Sequence, residues 1–521
     1  MAPPECRTAS RLAPAPATVP GVLPRILLPN LTAMLTVATL AYCLFVFGAT
    51  QQLFRDSDTG WHIRTGEWIL DHHALPRSDL YSFSRAGRPW VAWEWGSDVL
   101  MGLAHRIGGL RAVAAFFSLA IAATTWLCCR LHFTAGGDFF LTALSMPLVI
   151  TTTSLHWLAR PHVFSWLFLL GALIYVIRLS LKPSLLDLAG VAAVTAVWAN
   201  VHASFFLAPV IALIFAASHL LRPWLWPLDG YVERYKARWF LSIASASAAG
   251  SFLNPYGWGL HVHVLSYLRD DALTSRIAEF QSFNFHTPGA AQVVTTVLVA
   301  MAGALLALQQ KQLAQSLGVT LLVVGALRYA RLLPILALLA LPLANAAITE
   351  ALRNVRGLQP ALQRAVDAVT DYSRRLRRID LQLAGSAFSI IAVSVLPLSL
   401  YRLPGAGFPS GMFPVDAARA VKQLPGEARL LAPDSYGGYL IYRFSGQRKV
   451  FFDGRSDFYG ADFMQQYAAL MSARAGWQEI VRSFRFTHAL LPNESPLNAA
   501  LRQAGWRILY KDRLAALLEQ P

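Results

Sequence analysis

Charge is scarce in this chain. Only 14% of its 521 residues are Asp, Glu, Lys or Arg, against roughly 25% in soluble domains, while 55% are hydrophobic. So little charge cannot cover a water-exposed surface of this size, which excludes an ordinary soluble enzyme. Acids are scarcer than bases, 29 against 45, leaving a formal net charge of +16. In an apolar chain that excess marks cytoplasmic loops and anionic lipid surfaces, so no nucleic-acid partner is expected. Cysteine is rarer still. Cys43, Cys128 and Cys129 fall within apolar stretches and Cys6 in the N-terminal tail, so no disulfide framework is indicated. There is no internal repeat, and no low-complexity segment beyond the Ala/Pro-rich start.

What is abundant is apolar sequence in membrane-length pieces. Runs fall near 27–50, 111–129, 139–156, 163–180, 185–200, 204–221, 239–254, 290–308, 313–328, 332–348 and 382–402. Each is close to the length that crosses about 30 Å of hydrocarbon as a helix. The expected fold is a polytopic α-helical membrane protein of about 11 transmembrane helices, followed by a small C-terminal α/β domain. The segment Trp93–Ile107 is too short and polar to span and reads as a helix along the outer membrane surface. Residues 1–26 read as a flexible cytoplasmic tail, 27–402 as the transmembrane domain with a large outer loop at 51–110, and 403–521 as the extracytoplasmic domain. The apolar stretch Leu31–Thr50 is longer than a signal-peptide core and has no clear cleavage site before Gln51.

Basic residues set the orientation. With the N-terminus inside, the short inner loops hold Arg130, Arg178, Lys182, Arg222, Arg234, Lys236, Arg238 and Lys311, and the 350–380 segment adds seven arginines from Arg353 to Arg378. An odd number of spans then places the last 120 or so residues outside, in the periplasm of a Gram-negative cell. There Ala428–Pro433, Lys449–Asp453, Thr487–Pro492 and Trp506–Tyr510 read as strands, alternating with helices near 437–444, 461–473, 475–484 and 495–504.

With that topology the unusual polar residues collect on one side. Asp56 and Asp58 follow the first span, with Trp61 and His62 just beyond and Glu94 at the end of the loop. His156, Arg160 and His162 occupy the next outer turn, and Asn200 and His202 the one after. Asn254, His261, His263 and Glu279 belong to the following loop, and Arg328 and Arg331 bracket Tyr329 at the last. Turns that merely face water favour Gly, Ser, Asn and Lys; repeated His, Arg and Trp imply one polar cavity near the outer surface. Plainer readings exist for each. Asp56 or Asp58 could cap a helix starting near Thr59. His261 and His263 could join an Asp to hold a metal, though no spacing defines a third ligand. Arg328 and Arg331 could snorkel to lipid phosphates or clamp a substrate phosphate. Asn254-Pro255 is a natural helix-ending turn. In the C-terminal domain, Asp434–Tyr439 and Phe452–Tyr459 are dense in acids and rings, and read first as a Gly-rich helix start and a turn held by Asp453–Arg455 or Arg455–Asp457 pairing, with acceptor or glycan recognition as the other reading.

At these residues the chain resembles the GT-C superfamily of integral-membrane glycosyltransferases, which includes protein O-mannosyltransferases, aminoarabinose transferases and oligosaccharyltransferases. The series Asp56-Ser57-Asp58, Trp61-His62, Gly66-Glu67-Trp68-Ile69, Pro76-Arg77-Ser78-Asp79 with Ser82, Pro89-Trp90 and Glu94-Trp95 resembles a bacterial branch of that superfamily. The resemblance implies a bacterial cytoplasmic (inner) membrane enzyme acting at its outer face. It would move a sugar from a polyprenyl-phosphate-linked donor to a glycan, lipid or protein acceptor. It implies Asp58, then Asp56, as the acceptor base, and Arg328, Arg331 and Arg160 as donor-phosphate contacts. Trp61, His62, Glu94, His156, His162, Asn200, His202, Asn254, His261, His263 and Glu279 would line the pocket. Many relatives act without metal, whereas oligosaccharyltransferases use a divalent ion, so Mg or Mn stays open and no other cofactor is expected. The competing classes are a transporter or flippase of lipid-linked sugars and a scaffold that has kept the fold without activity.

Overall fold

The computed structural model describes residues 22–178, 184–399 and 405–521. Most of the expected N-terminal tail, Lys182 and the 402/403 domain boundary lie outside the described residues. Each of the eleven apolar runs falls on a helix, but the helices differ in reach. Among the described residues, five are long and apolar enough to cross a membrane unaided: Trp95–Thr134, Phe139–His156, Ala203–Leu225, Ala290–Gln309 and Ala330–Asn354. Pro360–Gln382 and Ser386–Ser399 form a sixth candidate only as a pair bent by 71°. Leu31–Val46, His162–Arg178, Leu185–Val201 and Leu313–Arg328 are apolar but shorter. At about 1.5 Å per residue they fall short of the hydrocarbon thickness. Gly230–Ser251 is long enough, but Glu233, Arg234, Lys236 and Arg238 crowd its first turns. The expected eleven spans are therefore eleven helices whose individual crossings length and composition do not establish.

The loop after the first helix is ordered. A π-turn at Tyr42–Val46 and a 3₁₀ segment at Gly48–Phe54 lead to a helix at Asp58–His72, closed by His73 in the left-handed region (φ 49°). The Trp95–Thr134 helix is two helices joined at Gly108 and Gly109, where φ reaches 63°. Its first part, ending at Ile107, matches the segment expected to lie along the surface. One side of it, with Ser97, Asp98, Met101 and Gly102, is buried, and the side with Leu100, Leu103 and Ile107 is exposed. It packs closely on the Asp58–His72 helix because Gly66 faces Gly102, where a Cβ on either would strike the other's backbone.

The C-terminal domain has four strands in the order β1-β2-β4-β3. These are β1 (Leu430–Leu431), β2 (His488–Pro492), β3 (Arg507–Lys511) and β4 (Ala515–Glu519). Only the β1–β2 pair is parallel. Side chains alternate across β2 and β4 with period two. Ala489, Leu491, Ala516 and Leu518 face the domain's own core with Phe451, Phe463 and Trp506. Leu490, Ala515 and Leu517 face the cluster continuous with the helical bundle. Both sheet faces are thus buried, while the outer strand β3 carries Arg507 and Lys511, which discourage edge-to-edge pairing. Two expectations are corrected. Lys449–Asp453 is not a sheet strand: Val450 bonds instead to Tyr81 and Phe83 of the large loop, at 2.9 and 3.0 Å. Ala515–Glu519 is an unforeseen strand, its alternation hidden because neither face meets water.

Helix Asp434–Arg443 seats this domain on the Asp58–His72 helix through glycine. A Cβ on Gly438 would collide with the Ser57 carbonyl, and one on Gly60 with the Gly438 carbonyl. Gly438→Ala is therefore expected to lower the thermal midpoint in detergent, costing about 2 kcal/mol as an overpacked contact does. Gly190, with open space around it, is the control: Gly190→Ala leaves the midpoint unchanged or raises it. Equal behaviour of the two variants would remove this seat from the account of the fold.

Candidate functional site

The start of the Asp58–His72 helix carries the centre of the site. Asp56 Oδ1 accepts the Asp58 N–H at 2.9 Å, so Asp56 anchors the first turn with one oxygen while Ser57 holds the cap position without a side-chain bond. The capping alternative is thus partly realised, by Asp56 and not by Asp58. The other Asp56 oxygen meets Arg160. That guanidinium lies 2.8 Å from Asp56, 3.1 Å from Asp58 and 3.1 Å from Glu279, and Arg331 lies 4.0 Å from Glu279. Segments far apart in the chain therefore meet at Arg160.

Depth separates the acids. The Asp58 side chain is 10% exposed, whereas Asp56, Arg160 and Glu279 keep 22%, 23% and 29%. Asp58 is the floor and the others the rim. Its carboxylate rests against the C-terminal domain, so closely that a Cβ on Gly454 would overlap it. Burial, and then the neighbouring Asp56 charge, push the Asp58 carboxyl up to about 8 although Arg160 works against them. Glu279 behaves oppositely: burial would raise it, but Arg160 and Arg331 outweigh burial and hold it down to about 2. Burial opposes the charge of Arg160, yet the surrounding carboxylates keep it firmly protonated.

A second, drier layer adjoins this one. His62 Nδ1 pairs with Asp98 at 2.6 Å, and Glu94 lies 3.8 Å from His62 and 3.3 Å from His202. Burial keeps His62 and His202 neutral, well below the usual imidazole range. Burial also pushes Glu94 up to about 7, against the field of Arg160. His202 Nδ1 is shared by Ser165 and Ser204, both at 2.8 Å, and Trp61 stacks on His62 with ring centres 3.6 Å apart. His162 Nε2 donates to the His156 carbonyl at 2.8 Å, shaping the turn that carries Arg160.

Other expected residues serve the frame. Asn200 accepts the Trp95 indole N–H at 2.8 Å. Asn254 holds its own turn, and Tyr256 beside it accepts the Ala92 N–H at 3.1 Å. His261 bonds Ser251 at 2.8 Å and stacks on Phe252, while His263 pairs with Asp457 at 3.0 Å, so the two histidines share no site. Arg328 lies over the Tyr329 ring and has no acidic partner among the described residues. A cavity of about 1040 Å³ with Arg130, Arg178 and Arg377 in its wall lies at the opposite helix ends and contains none of the clustered acids.

Asp98, Gly454 and Asp457 are site neighbours outside the expected set. Asp98 gave a weak signal through its nearness to Glu94. Gly454 and Asp457 lie in the Phe452–Tyr459 stretch, whose expected Asp453–Arg455 pair does form, at 2.7 and 2.8 Å. Arg455 also reaches Asp79 at 2.8 Å, and Asp457 turns away to His263.

The raised Asp58 carboxyl makes a stability prediction. The folded chain keeps a proton that the unfolded chain releases near pH 4, so native stability falls as pH rises from there to about 8. Asp58→Asn escapes this loss. Its thermal midpoint should match wild type at low pH and exceed it increasingly toward pH 8, read by scanning fluorimetry. A variant that loses ground with rising pH would contradict the burial argument.

Comparison with known proteins agrees at the level of the fold. No protein-family model and no curated protein sequence matches the chain. Solved structures do match, among them the oligosaccharyltransferase of Archaeoglobus fulgidus tethered to an acceptor peptide containing an NVT sequon. The identity is 12%, with a TM-score of 0.55, over 88% of this chain and 68% of that one. The same enzyme in its apo form gives 12% and 0.55 over 88% and 69%. Archaeal AglB in complex with an inhibitory peptide and a dolichol-phosphate gives 12% and 0.53 over 88% and 69%. This chain shares the overall fold of these archaeal oligosaccharyltransferase structures.

Proposed function

We propose that this protein is a membrane glycosyltransferase that moves a sugar from a polyprenyl-phosphate-linked donor to an acceptor hydroxyl at the outer face of a bacterial cytoplasmic membrane. The observation that carries this reading is Asp58: a deep carboxylate, beside a fixed guanidinium, at the floor of a half-open polar cluster. The oligosaccharyltransferase-like fold and that enzyme's complex with a dolichol-phosphate support a lipid-linked donor.

In the transfer step the acceptor oxygen forms a bond to the anomeric carbon as the bond from that carbon to the donor phosphate oxygen breaks. Asp58 takes the acceptor proton, and a carboxyl shifted up to about 8 is basic enough to hold it. Negative charge grows on the departing lipid phosphate. Arg331, whose one acidic partner among the described residues is Glu279 at 4.0 Å, has donors left for it. Arg328 is a weaker choice, because among the described residues it pairs with none of the clustered acids, whereas Arg331 reaches Glu279. The half-open rim of Asp56, Arg160 and Glu279 admits the headgroup, and the neutral His62 and His202 layer keeps water from the floor.

Asp58→Asn should insert and fold like wild type yet lose about 100-fold or more of transfer, the size of a missing general base. The check is mass spectrometry of lipid-linked sugars and envelope glycans in vesicles from a deletion strain complemented with each form. Because the base works ionised, wild-type transfer should climb with pH and level off above about 8, a rise absent from the residual activity of Asp58→Asn. Full restoration of the glycan profile by Asp58→Asn would overturn the reading.

A further inference from the structure

Carboxylates bind a divalent cation when their oxygens converge on one vacant point. Mg²⁺ takes its oxygens at about 2.0–2.1 Å in near-octahedral geometry. Here the point of convergence is taken by a protein group, the Arg160 guanidinium. Arg160 Nη1 lies 2.8 Å from Asp56 Oδ2 and 3.1 Å from Glu279 Oε1, and Nη2 lies 3.1 Å from Asp58 Oδ2. A guanidinium keeps its proton at any physiological pH. A divalent ion would therefore have to expel a fixed positive charge or sit against it, at a steep coulombic cost.

Among the described residues, His62 Nε2 and His156 Nδ1 are buried without a hydrogen-bond partner, but they form no ligand set with the nearby acids. His162 Nε2 is spent on the His156 carbonyl, His202 Nδ1 on Ser165 and Ser204, and His263 Nε2 on Asp457. Among the described residues, no group of three or more His, Cys, Asp or Glu is placed to hold a metal. The residues present do not fit the divalent ion that the oligosaccharyltransferase resemblance implies.

We propose that Arg160 is the resident cation of this site and that the chain binds no divalent metal there. One guanidinium gathers the three carboxylates, hydrogen-bonding Asp56 and Glu279 through Nη1 and placing Nη2 3.1 Å from Asp58. Its Nε–H has no protein acceptor among the described residues and is available to a donor phosphate oxygen. The catalytic half of this inference rests on the glycosyl-transfer reading; the metal-binding half does not. Electrostatics agree: one positive charge among three acids neutralises less than a dication, which suits a deep carboxyl that retains a proton.

The test uses the purified full-length protein in nanodiscs, with Mn²⁺ as the probe. Wild type should bind no stoichiometric Mn²⁺ by paramagnetic resonance, and neither millimolar Mn²⁺ nor EDTA should move its thermal midpoint. Arg160→Ala leaves the three carboxylates and removes the cation. It should gain Mn²⁺ binding and a Mn²⁺-dependent rise in midpoint, and Asp56→Asn added to it should abolish both. In vesicles, wild-type transfer should survive EDTA. Arg160→Ala should lose about 100-fold or more, as when a charge-stabilising donor is removed, and recover in part with added methylguanidinium. Stoichiometric Mn²⁺ on wild type that is lost in Glu279→Gln, or transfer stopped by EDTA and restored by Mn²⁺, would overturn the proposal. If Arg160→Ala fails to fold, the wild-type Mn²⁺ and EDTA measurements decide alone. Wild type that transfers nothing under any condition while the Mn²⁺ results come out as expected would remove the glycosyl-transfer reading and leave the cation assignment standing.

Discussion

Arg455 is a guanidinium only 2% exposed, and the geometry of the site follows from how its charge is satisfied. It belongs to the C-terminal domain, yet one of its partners, Asp79, lies in the large loop after the first helix. Asp453 supplies the other carboxylate, and the rings of Tyr81, Trp90, Phe458 and Tyr459 surround the cation. Removing one member of such a buried group strands the others without a counter-charge, which is why the loop and the domain must stay together. That union puts Gly454 against Asp58 and Asp457 against His263. The C-terminal domain is thereby one wall of the site, joined by backbone bonds from Val450 to the loop and by glycine contacts between helices.

Charge is then distributed by depth. At the floor, burial raises Asp58; at the rim, Arg160 and Arg331 hold Glu279 ionised. Two carboxyls sharing one guanidinium are thus driven in opposite directions. The layer of His62, Asp98, Glu94 and His202 beneath is drier, and burial keeps its imidazoles neutral. Its two imidazoles therefore add no positive charge beside the floor.

Much of the architecture is legible in the order of residues alone. Hydropathy is a sum over neighbouring residues, so every apolar run became a helix. The break at Gly108-Gly109 was foreshadowed by the polar character of Trp93–Ile107. The misses have local causes. β4 shows no alternation because Leu490, Leu517 and their neighbours bury both faces of the sheet. Lys449–Asp453 has strand composition but spends its backbone on Tyr81 and Phe83, partners no local pattern announces. The eleven apolar runs do not each establish a crossing, because runs that look membrane-long include turns, as at Tyr42–Phe54.

The polar turns were likewise visible as a group, and Asp56, Asp58, Arg160, Glu279 and Arg331 do meet. Arg328, His261 and Asn254 carry the same residue chemistry and serve the frame instead. Composition and order along the chain decide which segments are helical and which turns carry polar groups, because those properties depend on residues within a turn or two. Which guanidinium meets which carboxylate was decided only by folding. Arg160 and Asp56 are 104 residues apart, and Arg455 and Asp79 are 376 apart. Ion pairing acts over a few ångströms, and only the packed bundle brings such distant segments within that range.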